Sequence, residues 1–323
     1  MRKGVTLVEL LIVIPIIVIV GAVVITMLYN YMMMYYANND AAVASNRANL
    51  VLSLLDSPVH HVGLGVTTAA SDDYYNAWGT DGPFIKDWDE DWENALYIEE
   101  DTNGYPNRMG VVYALPLGMK ASTAVSGQAT GLVIPLLNHD LPDIPLWSNS
   151  PTPDRSDKRY WISTPGTDLV VPMFVQLYSP TGTPPTLRVD IPGSMPADFA
   201  IPIHQDLYQM KAAWAWADAS ANPEGFNDYR FHLQQIYTDT LTGDHIEIEG
   251  IRAVRFIPSD NRRYLEVRVL AMGDTKGMPY AKSGAARLKD RWPELDLADD
   301  SQYYLEEFSV KWRLRDLGSR DED

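Results

Sequence analysis

The sequence contains no cysteine, so neither a disulfide nor a thiolate metal site can hold its loops in place. Basic residues are also scarce, because 26 Lys and Arg stand against 43 Asp and Glu, which gives a net charge of −17 at pH 7. An acidic surface disfavours nucleic acid and anionic lipid as partners. We therefore expect no nucleic-acid binding, and loops that are held by packing or by a metal ion.

Sequence motifs for catalysis are absent as well. The chain has no G-x-S-x-G elbow, P-loop, G-x-G-x-x-G or H-E-x-x-H motif, and no sequence cluster of cysteine and histidine. A glycosidase needs a close pair of carboxylates, but with 43 acidic residues such a pair arises by chance. We expect a protein that is not an enzyme and that needs no organic cofactor.

A long apolar run is the most informative feature of the chain. It extends from Val5 to Leu28, 24 residues with one charge at Glu9. As a helix it would be about 36 Å long, enough to cross the roughly 30 Å hydrocarbon core of a bilayer. Arg2 and Lys3 on the short flank place the N-terminus in the cytoplasm and the rest of the chain outside the membrane. The pattern predicts a single-pass protein of the cell membrane.

Glu9 is costly inside this run. A lone carboxylate at membrane depth costs about 2.5–3.5 kcal/mol unless it has a partner. A cleavable secretory signal has its small residue after the apolar region, whereas here Gly4 precedes it. A cut after Gly4 would create an amine at Val5, and Glu9 of one subunit can meet the amine of its neighbour. The arrangement predicts assembly of several copies.

The residues from Lys3 to Ile14 read KGVTLVELLIVI. This segment resembles the N-terminal motif of type IV pilins and type II secretion pseudopilins. The resemblance implies that a prepilin peptidase cuts after Gly4 and methylates the new N-terminus at Val5. It also implies that Glu9 helps to draw the subunit into a filament. The implied partners are other pilin or pseudopilin subunits, the peptidase, membrane lipid and an inner-membrane assembly platform.

Two positions depart from the pattern of that family. Its first mature residue is usually Phe, and here it is Val5. The helix proline of major pilins would fall near Thr26, whereas this chain has Pro15, which removes a backbone hydrogen bond and should bend or loosen the helix. A plain signal anchor with a chance glutamate is the alternative.

After Leu28 the helix is expected to leave the membrane through an aromatic segment and to become amphipathic. Its apolar positions recur every three or four residues: Ala41, Ala44, Ala48, Val51, Leu52 and Leu55. Its polar face is predicted to contain Asn38, Asn39, Asp40, Asn46 and Arg47. Pro58 should end the helix. The chain thus divides into a leader (1–4), a transmembrane helix (5–28), its amphipathic continuation (29–57) and an exported domain (58–323).

The sequence patterns of the exported domain predict mainly β structure. The predicted fold class is therefore α+β, with a pilin-like long helix on an antiparallel sheet. Its middle, 141–202, holds 12 of the 22 prolines and predicts turns and short edge strands. One further helix is predicted over Leu207–Ala219, capped by Asp206. The clearest strand patterns are in the last third, where apolar and polar residues alternate in several runs (229–237, 245–249, 264–270 and 307–315) and predict one antiparallel sheet. A further strand is predicted at 251–257, before the last two of these runs.

Two places invite a metal assignment. Asp87, Asp89 and Asp91 alternate like the start of a calcium loop, but Trp92 stands where the turn glycine belongs, so a solvated acidic loop is the alternative. His60 and His61 are expected to be a helix-end pair, since no third ligand lies near them in sequence.

The order of the last three strand patterns is similar to the C-terminal layout of PilW-like minor pilins and J-type minor pseudopilins. That resemblance implies a subunit of the complex that starts a filament and lies at its tip. Nine tryptophans and eighteen tyrosines also allow a second reading, a monomeric membrane-anchored ectodomain that binds carbohydrate or protein.

Overall fold

The computed structural model describes residues 7–66, 95–101, 104–126, 131–137, 161–164, 173–179, 183–190, 200–220, 223, 225–236, 244–295, 297 and 302–314. The architecture is α+β, with one long N-terminal helix and mostly antiparallel strands. The chain forms two compact units. Unit 1 comprises Met1–Asn46 and Ala271–Glu306, and unit 2 comprises Arg47–Leu270 and Glu307–Asp323.

Helix α1 runs without a break from Leu7 to His61, 55 residues or about 80 Å. It continues through Pro15 and through Pro58, so the predicted end at 57 is wrong by four residues. A proline in the last turn removes a single intrahelical hydrogen bond. Pro58 and Val59 are both buried, and the apolar burial offsets that loss.

The apolar stripe of α1 is confirmed. Five of its six predicted members are buried and Ala41 is half-buried, as the following exposures show: Ala44 0%, Ala48 0%, Val51 0%, Leu52 9% and Leu55 0%. The prediction for Asp40 is wrong, because this residue is fully buried rather than on the polar face. Within unit 2, Trp312 Nε1 donates to Asp56 Oδ1 at 3.1 Å, and the guanidinium of Arg47 lies 4.4 Å from the ring centre of Phe226.

Among the described residues, the largest sheet has nine strands and belongs to unit 2. Its strands are β1 (Leu96–Glu100), β2 (Pro106–Lys120), β4 (Leu132–Pro135), β5 (Trp161–Ser163), β6 (Met173–Ser179), β7 (Thr186–Asp190), β9 (Asp206–Ala219), β10 (Tyr229–Ile236) and β11 (Asp244–Glu249). The order is β1-β2-β9-β5-β6-β7-β4, and β10 pairs with both β9 and β11. A two-stranded sheet joins β3 (Val125–Ser126) to β8 (Ala200–Ile201).

The predicted helix Leu207–Ala219 is wrong, because Asp206–Ala219 forms strand β9. The apolar spacing and the many alanines of this segment favour a helix locally. In the fold, β9 hydrogen-bonds to β2 along one edge and to β10 along the other, and Ala212, Ala213 and Ala215 are buried at 0–1% exposure. Pairing on both edges and close packing of small side chains override the local preference.

The last third of the chain forms two sheets rather than the single sheet that we expected. Strands β10 and β11 belong to the nine-stranded sheet, whereas β12 (Ile251–Pro258), β13 (Tyr264–Met272) and β14 (Leu305–Arg313) form a separate sheet in that order. The alternation along β14 is confirmed, since Trp312 is buried and its neighbours Lys311 and Arg313 are exposed. Helix α2 (Pro279–Leu288) in unit 1 was not predicted, although Pro279 lies in its first turn.

Candidate functional site

The first half of α1 exposes its apolar side chains all round. From Leu10 to Tyr35 its exposed large apolar residues have exposures between 48% and 70%. Water-soluble monomers rarely expose a continuous apolar surface of more than a few hundred Å². By length and composition this is a helix that could cross a membrane or act as a signal anchor. Its surface therefore fits lipid or the helices of other chains better than water.

The N-terminal motif lies at the limit of the described residues. Gly4 and Val5, the expected cleavage and methylation positions, lie outside them. Glu9 is helical in its backbone, and its side chain also lies outside the described part. Further along, the hydroxyl of Thr26 donates to the backbone oxygen of Ala22 at 2.8 Å, which satisfies this polar group within the helix itself.

In unit 1, the buried carboxylate of Asp40 is the acceptor for four hydrogen bonds. Its Oδ1 accepts the backbone N–H groups of Asp274 and Thr275, each at 3.2 Å, and the hydroxyl of Thr275 at 2.8 Å. Its Oδ2 accepts the hydroxyl of Tyr280 at 2.7 Å. Four donors satisfy the buried carboxylate and fasten residues 274–280 to the helix.

Gly273 leaves space for this contact. A Cβ atom added to Gly273 would lie 2.6 Å from Cβ of Asp40 and 2.8 Å from its Cγ. The N–H of Gly273 donates to the backbone oxygen of Tyr304 at 2.8 Å, so the glycine backbone cannot shift away without losing that bond. Close approach of helix and segment therefore requires glycine here.

The phenols around Asp40 stay protonated at neutral pH. Burial, followed by the hydrogen bond to Asp40 and its negative charge, raises the pKa of Tyr280 well above its ordinary value. Burial and the hydrogen bond to Glu306 at 2.9 Å raise the pKa of Tyr304 to about 12. Tyr280 therefore remains a donor to the carboxylate over the physiological pH range.

A cluster of histidines and carboxylates lies on three neighbouring strands of unit 2. His232 Nδ1 is 3.0 Å from His245 Nε2 and 3.6 Å from Glu247 Oε1. Its other ring nitrogen, Nε2, is 3.0 Å from Asp218 Oδ1. The strand register explains the meeting, because His232 of β10 lies opposite Trp216 of β9 and opposite Glu247 of β11.

Ring stacking orders the same cluster. The indole of Trp216 stacks on His232 with centroids 4.9 Å apart and lies nearly parallel to His245 at 6.0 Å. The two imidazoles are nearly coplanar and meet edge to edge, with centroids 5.2 Å apart and 22° between their planes. The side chain of His232 is 9% exposed, whereas that of Glu247 is 40% exposed. One ligand is thus held inside the stack, and the cluster opens to solvent on the side of Glu247.

Sequence reasoning missed this cluster. We found no cluster of cysteine and histidine along the sequence, and His232 and His245 are 13 residues apart. The available signal was the pair of alternating runs at 229–237 and 245–249, which predicts a hairpin. Only the register of that hairpin places His232 beside His245 and Glu247.

The other metal predictions have different outcomes. Asp87, Asp89 and Asp91 lie outside the described residues. His60 and His61 form the helix-end pair that we expected, since their Nδ1 atoms lie 2.8 Å and 2.7 Å from backbone oxygens one turn earlier.

Comparison with protein-family models, curated proteins and solved structures found no match to this chain. Function is therefore inferred from the residues and the geometry described above.

Proposed function

We propose that the protein is a structural subunit, a minor pilin or pseudopilin, that assembles through α1 into a type IV pilus or a type II secretion pseudopilus. One observation carries the proposal: α1 is a single helix of 55 residues with two different surfaces. From Leu10 to Tyr35 its apolar side chains are exposed, and from Asp40 onward it has a buried stripe. The first surface is free to pack between copies, and the second belongs to the folded part of the subunit.

The exposed surface explains why a helix that crosses a membrane also suits a filament. Apolar surface gains about 25 cal/mol for each Å² that is removed from water. In the bilayer, lipid supplies this environment around residues 10–28. In a filament, the same side chains would pack against the helices of neighbouring subunits, so extraction from lipid leaves little of this surface in water.

Glu9 specifies how neighbouring subunits pair in the proposed assembly. Our proposal has the peptidase cut after Gly4, so that the methylated amine of Val5 in one subunit pairs with Glu9 of the next. Such pairing would remove a penalty of about 2.5–3.5 kcal/mol for the lone carboxylate at membrane depth. A plain anchor offers no equivalent partner for Glu9.

The size of the exported part favours a place in the initiating complex at the tip. The segment 58–323 has 266 residues, and a domain of this size is hard to repeat along a close-packed shaft. Glu9 is present, however, and the outermost tip subunits of the family typically lack that residue. The proposed place is therefore within the tip complex beneath the outermost subunit, with no catalytic role.

The mature N-terminus provides the first test. Mass spectrometry of the protein from its native membrane should show a chain that begins with methylated Val5. Crosslinking should then join α1 to other pilin-like subunits. An intact Met1 on a monomeric protein would instead support the anchored ectodomain and overturn our proposal.

A pair of variants tests the role of Glu9. Glu9→Ala should insert into the membrane at normal levels but should not enter filaments, because the partner of the neighbouring amine is gone. Ser53→Ala is the matched control: this exposed hydroxyl also bonds within its own helix, to the backbone oxygen of Leu50 at 2.9 Å, and it lies outside residues 10–28, so its loss should leave assembly unchanged. Normal filament incorporation of Glu9→Ala would contradict the assignment.

A further inference from the structure

We propose that His232, His245 and Glu247 form a binding site for a divalent transition-metal ion, of which zinc is the best fit. One atom from each residue can be chosen so that all three lie within 4.8 Å of one another. Zinc binds imidazole nitrogen and carboxylate oxygen at about 2.0–2.2 Å, so tetrahedral ligands lie roughly 3.3–3.5 Å apart. The distances from His232 Nδ1, 3.0 Å to His245 Nε2 and 3.6 Å to Glu247 Oε1, are close to that separation.

Asp218 sets the proton position on His232. A carboxylate only accepts hydrogen bonds, so the contact of 3.0 Å between Asp218 Oδ1 and His232 Nε2 places the ring proton on Nε2. In the neutral ring, the lone pair of Nδ1 then points toward His245 and Glu247. A carboxylate behind a histidine ligand is the usual arrangement at zinc sites, where it fixes the tautomer and raises the basicity of the ligand.

Two further contacts orient the carboxylates. Trp216 Nε1 lies 3.4 Å from Asp218 Oδ2 and donates to it. Arg230 Nη1 donates to Glu247 Oε2 at 3.0 Å, which leaves Oε1, the atom nearer to His232, available for a metal ion. Both carboxylates and their partners lie on paired strands, so the group is held by the sheet rather than by a loop.

The composition of the group selects the class of ion. Two imidazoles and one carboxylate suit zinc, copper or nickel, whereas calcium and magnesium prefer oxygen ligands alone. His245 and Glu247 have side-chain exposures of 43% and 40%, so a water molecule can complete the coordination from the open side. Without a metal ion, the His245 Nε2–H donates to His232 Nδ1; for Nε2 to bind a metal ion, this proton would move to Nδ1 of the same ring, which gives the other neutral tautomer.

Stacking of Trp216 on the imidazoles explains only part of the arrangement of these side chains. The attraction between aromatic rings is enough to align Trp216 with the two imidazoles. Stacking does not require Asp218 at Nε2 of His232 or Glu247 near its Nδ1. Metal binding explains both positions.

The test uses the full-length protein, purified in detergent and stripped of metal with a chelator. Calorimetric titration with Zn²⁺ alone should show one ion bound per chain. His245→Ala should weaken binding by more than about 100-fold, and Asp218→Asn by about 10–100-fold, since Asp218 acts through His232. His60→Ala is the matched control, because His60 is an exposed histidine outside the cluster, and it should bind Zn²⁺ like the parent protein.

Two results would overturn the proposal: no stoichiometric Zn²⁺ binding to the parent protein, or equal binding to the parent and to His245→Ala. Glu247→Gln keeps the shape of the side chain, so it serves if His245→Ala does not fold, and it should weaken binding in the same direction. Co²⁺ bound at the site should give the strong visible absorption of a tetrahedral centre. None of these outcomes depends on filament assembly, so the two proposals can fail separately.

Discussion

Replacement of Asp40 by alanine tests the buried carboxylate contact of unit 1. The side chain is fully buried and accepts four hydrogen bonds, three from Asp274 and Thr275 and one from Tyr280. Asp40→Ala removes the carboxylate and leaves the four donors without this acceptor. Asp40→Asn keeps the shape and one acceptor oxygen but removes the charge.

The expected loss of stability follows from these contacts. A hydrogen bond to a charged group contributes about 1.5–3 kcal/mol net, and a buried donor without a partner costs about 1–3 kcal/mol. The four bonds share one carboxylate and Tyr280 is only half-buried, so their values do not add. We expect about 3–5 kcal/mol for Asp40→Ala and about 1–2 kcal/mol for Asp40→Asn.

Hydrogen exchange and unfolding of the full-length protein in detergent measure this loss. The amides of Asp274 and Thr275 should lose protection in Asp40→Ala, because their acceptor has gone. Asn39→Ala is the matched control, since Asn39 is the exposed neighbour on the same helix and should change the unfolding free energy by less than about 1 kcal/mol. If the two alanine variants unfold alike and keep the same amide protection, the reasoning about Asp40 is refuted.

Two further predictions concern single residues. Gly273→Ala should destabilise the protein, because its Cβ would lie 2.6 Å from Cβ of Asp40. Gly284→Ala in α2 should be neutral or stabilising, because the nearest atom to its Cβ would be 3.4 Å away. Thermal unfolding of both variants checks this, and equal unfolding midpoints would contradict it. Burial raises the pKa of Tyr113 to about 12, and its unfolded value is about 10. Tyr113 therefore contributes stability that is fully present below pH ~10 and is lost as the pH rises to ~12, about 3 kcal/mol in total. When the free energy of unfolding is measured against pH, Tyr113→Phe should not show this loss of stability. The same pH dependence in the variant and the parent protein would contradict the assignment.

The parts of the fold that repeat with a clear period could be predicted from the sequence. The stripe from Ala44 to Leu55 follows from helical spacing, and the alternation over Leu265–Val269 of β13 and at the end of β14 follows from strand spacing. Both patterns depend only on neighbours within a few residues. The end of α1 was missed because the burial of Pro58 and Val59 depends on the tertiary fold.

Strand β9 shows where local preference fails. Its residues from Leu207 to Ala219 have apolar side chains at helical spacing and many alanines, which favour a helix in isolation. The alternative is stabilised by β2 and β10, whose sequences contain no mark that they will pair with this segment. Which strands pair in a sheet depends on the whole chain and not on the local sequence of one strand.

The two polar clusters were missed for a related reason. Asp40 is adjacent to the predicted stripe, and its burial is tolerated only because Thr275 and Tyr280 supply donors from more than 230 residues away. His232 and Glu247 meet because of one hairpin register. Spacing along the chain therefore predicted the elements, but it did not predict the polar contacts between them.

The contact between Asp40 and Tyr280 also has a consequence for the order of synthesis. The two residues are 240 positions apart, so a ribosome working at about 5–20 residues per second needs roughly 10–50 s between them. During that interval the carboxylate must stay hydrated, and the surface of the helix beside it stays open. A chain that stops before residue 274 can never close this surface, so the Asp40 contact distinguishes complete chains from truncated ones.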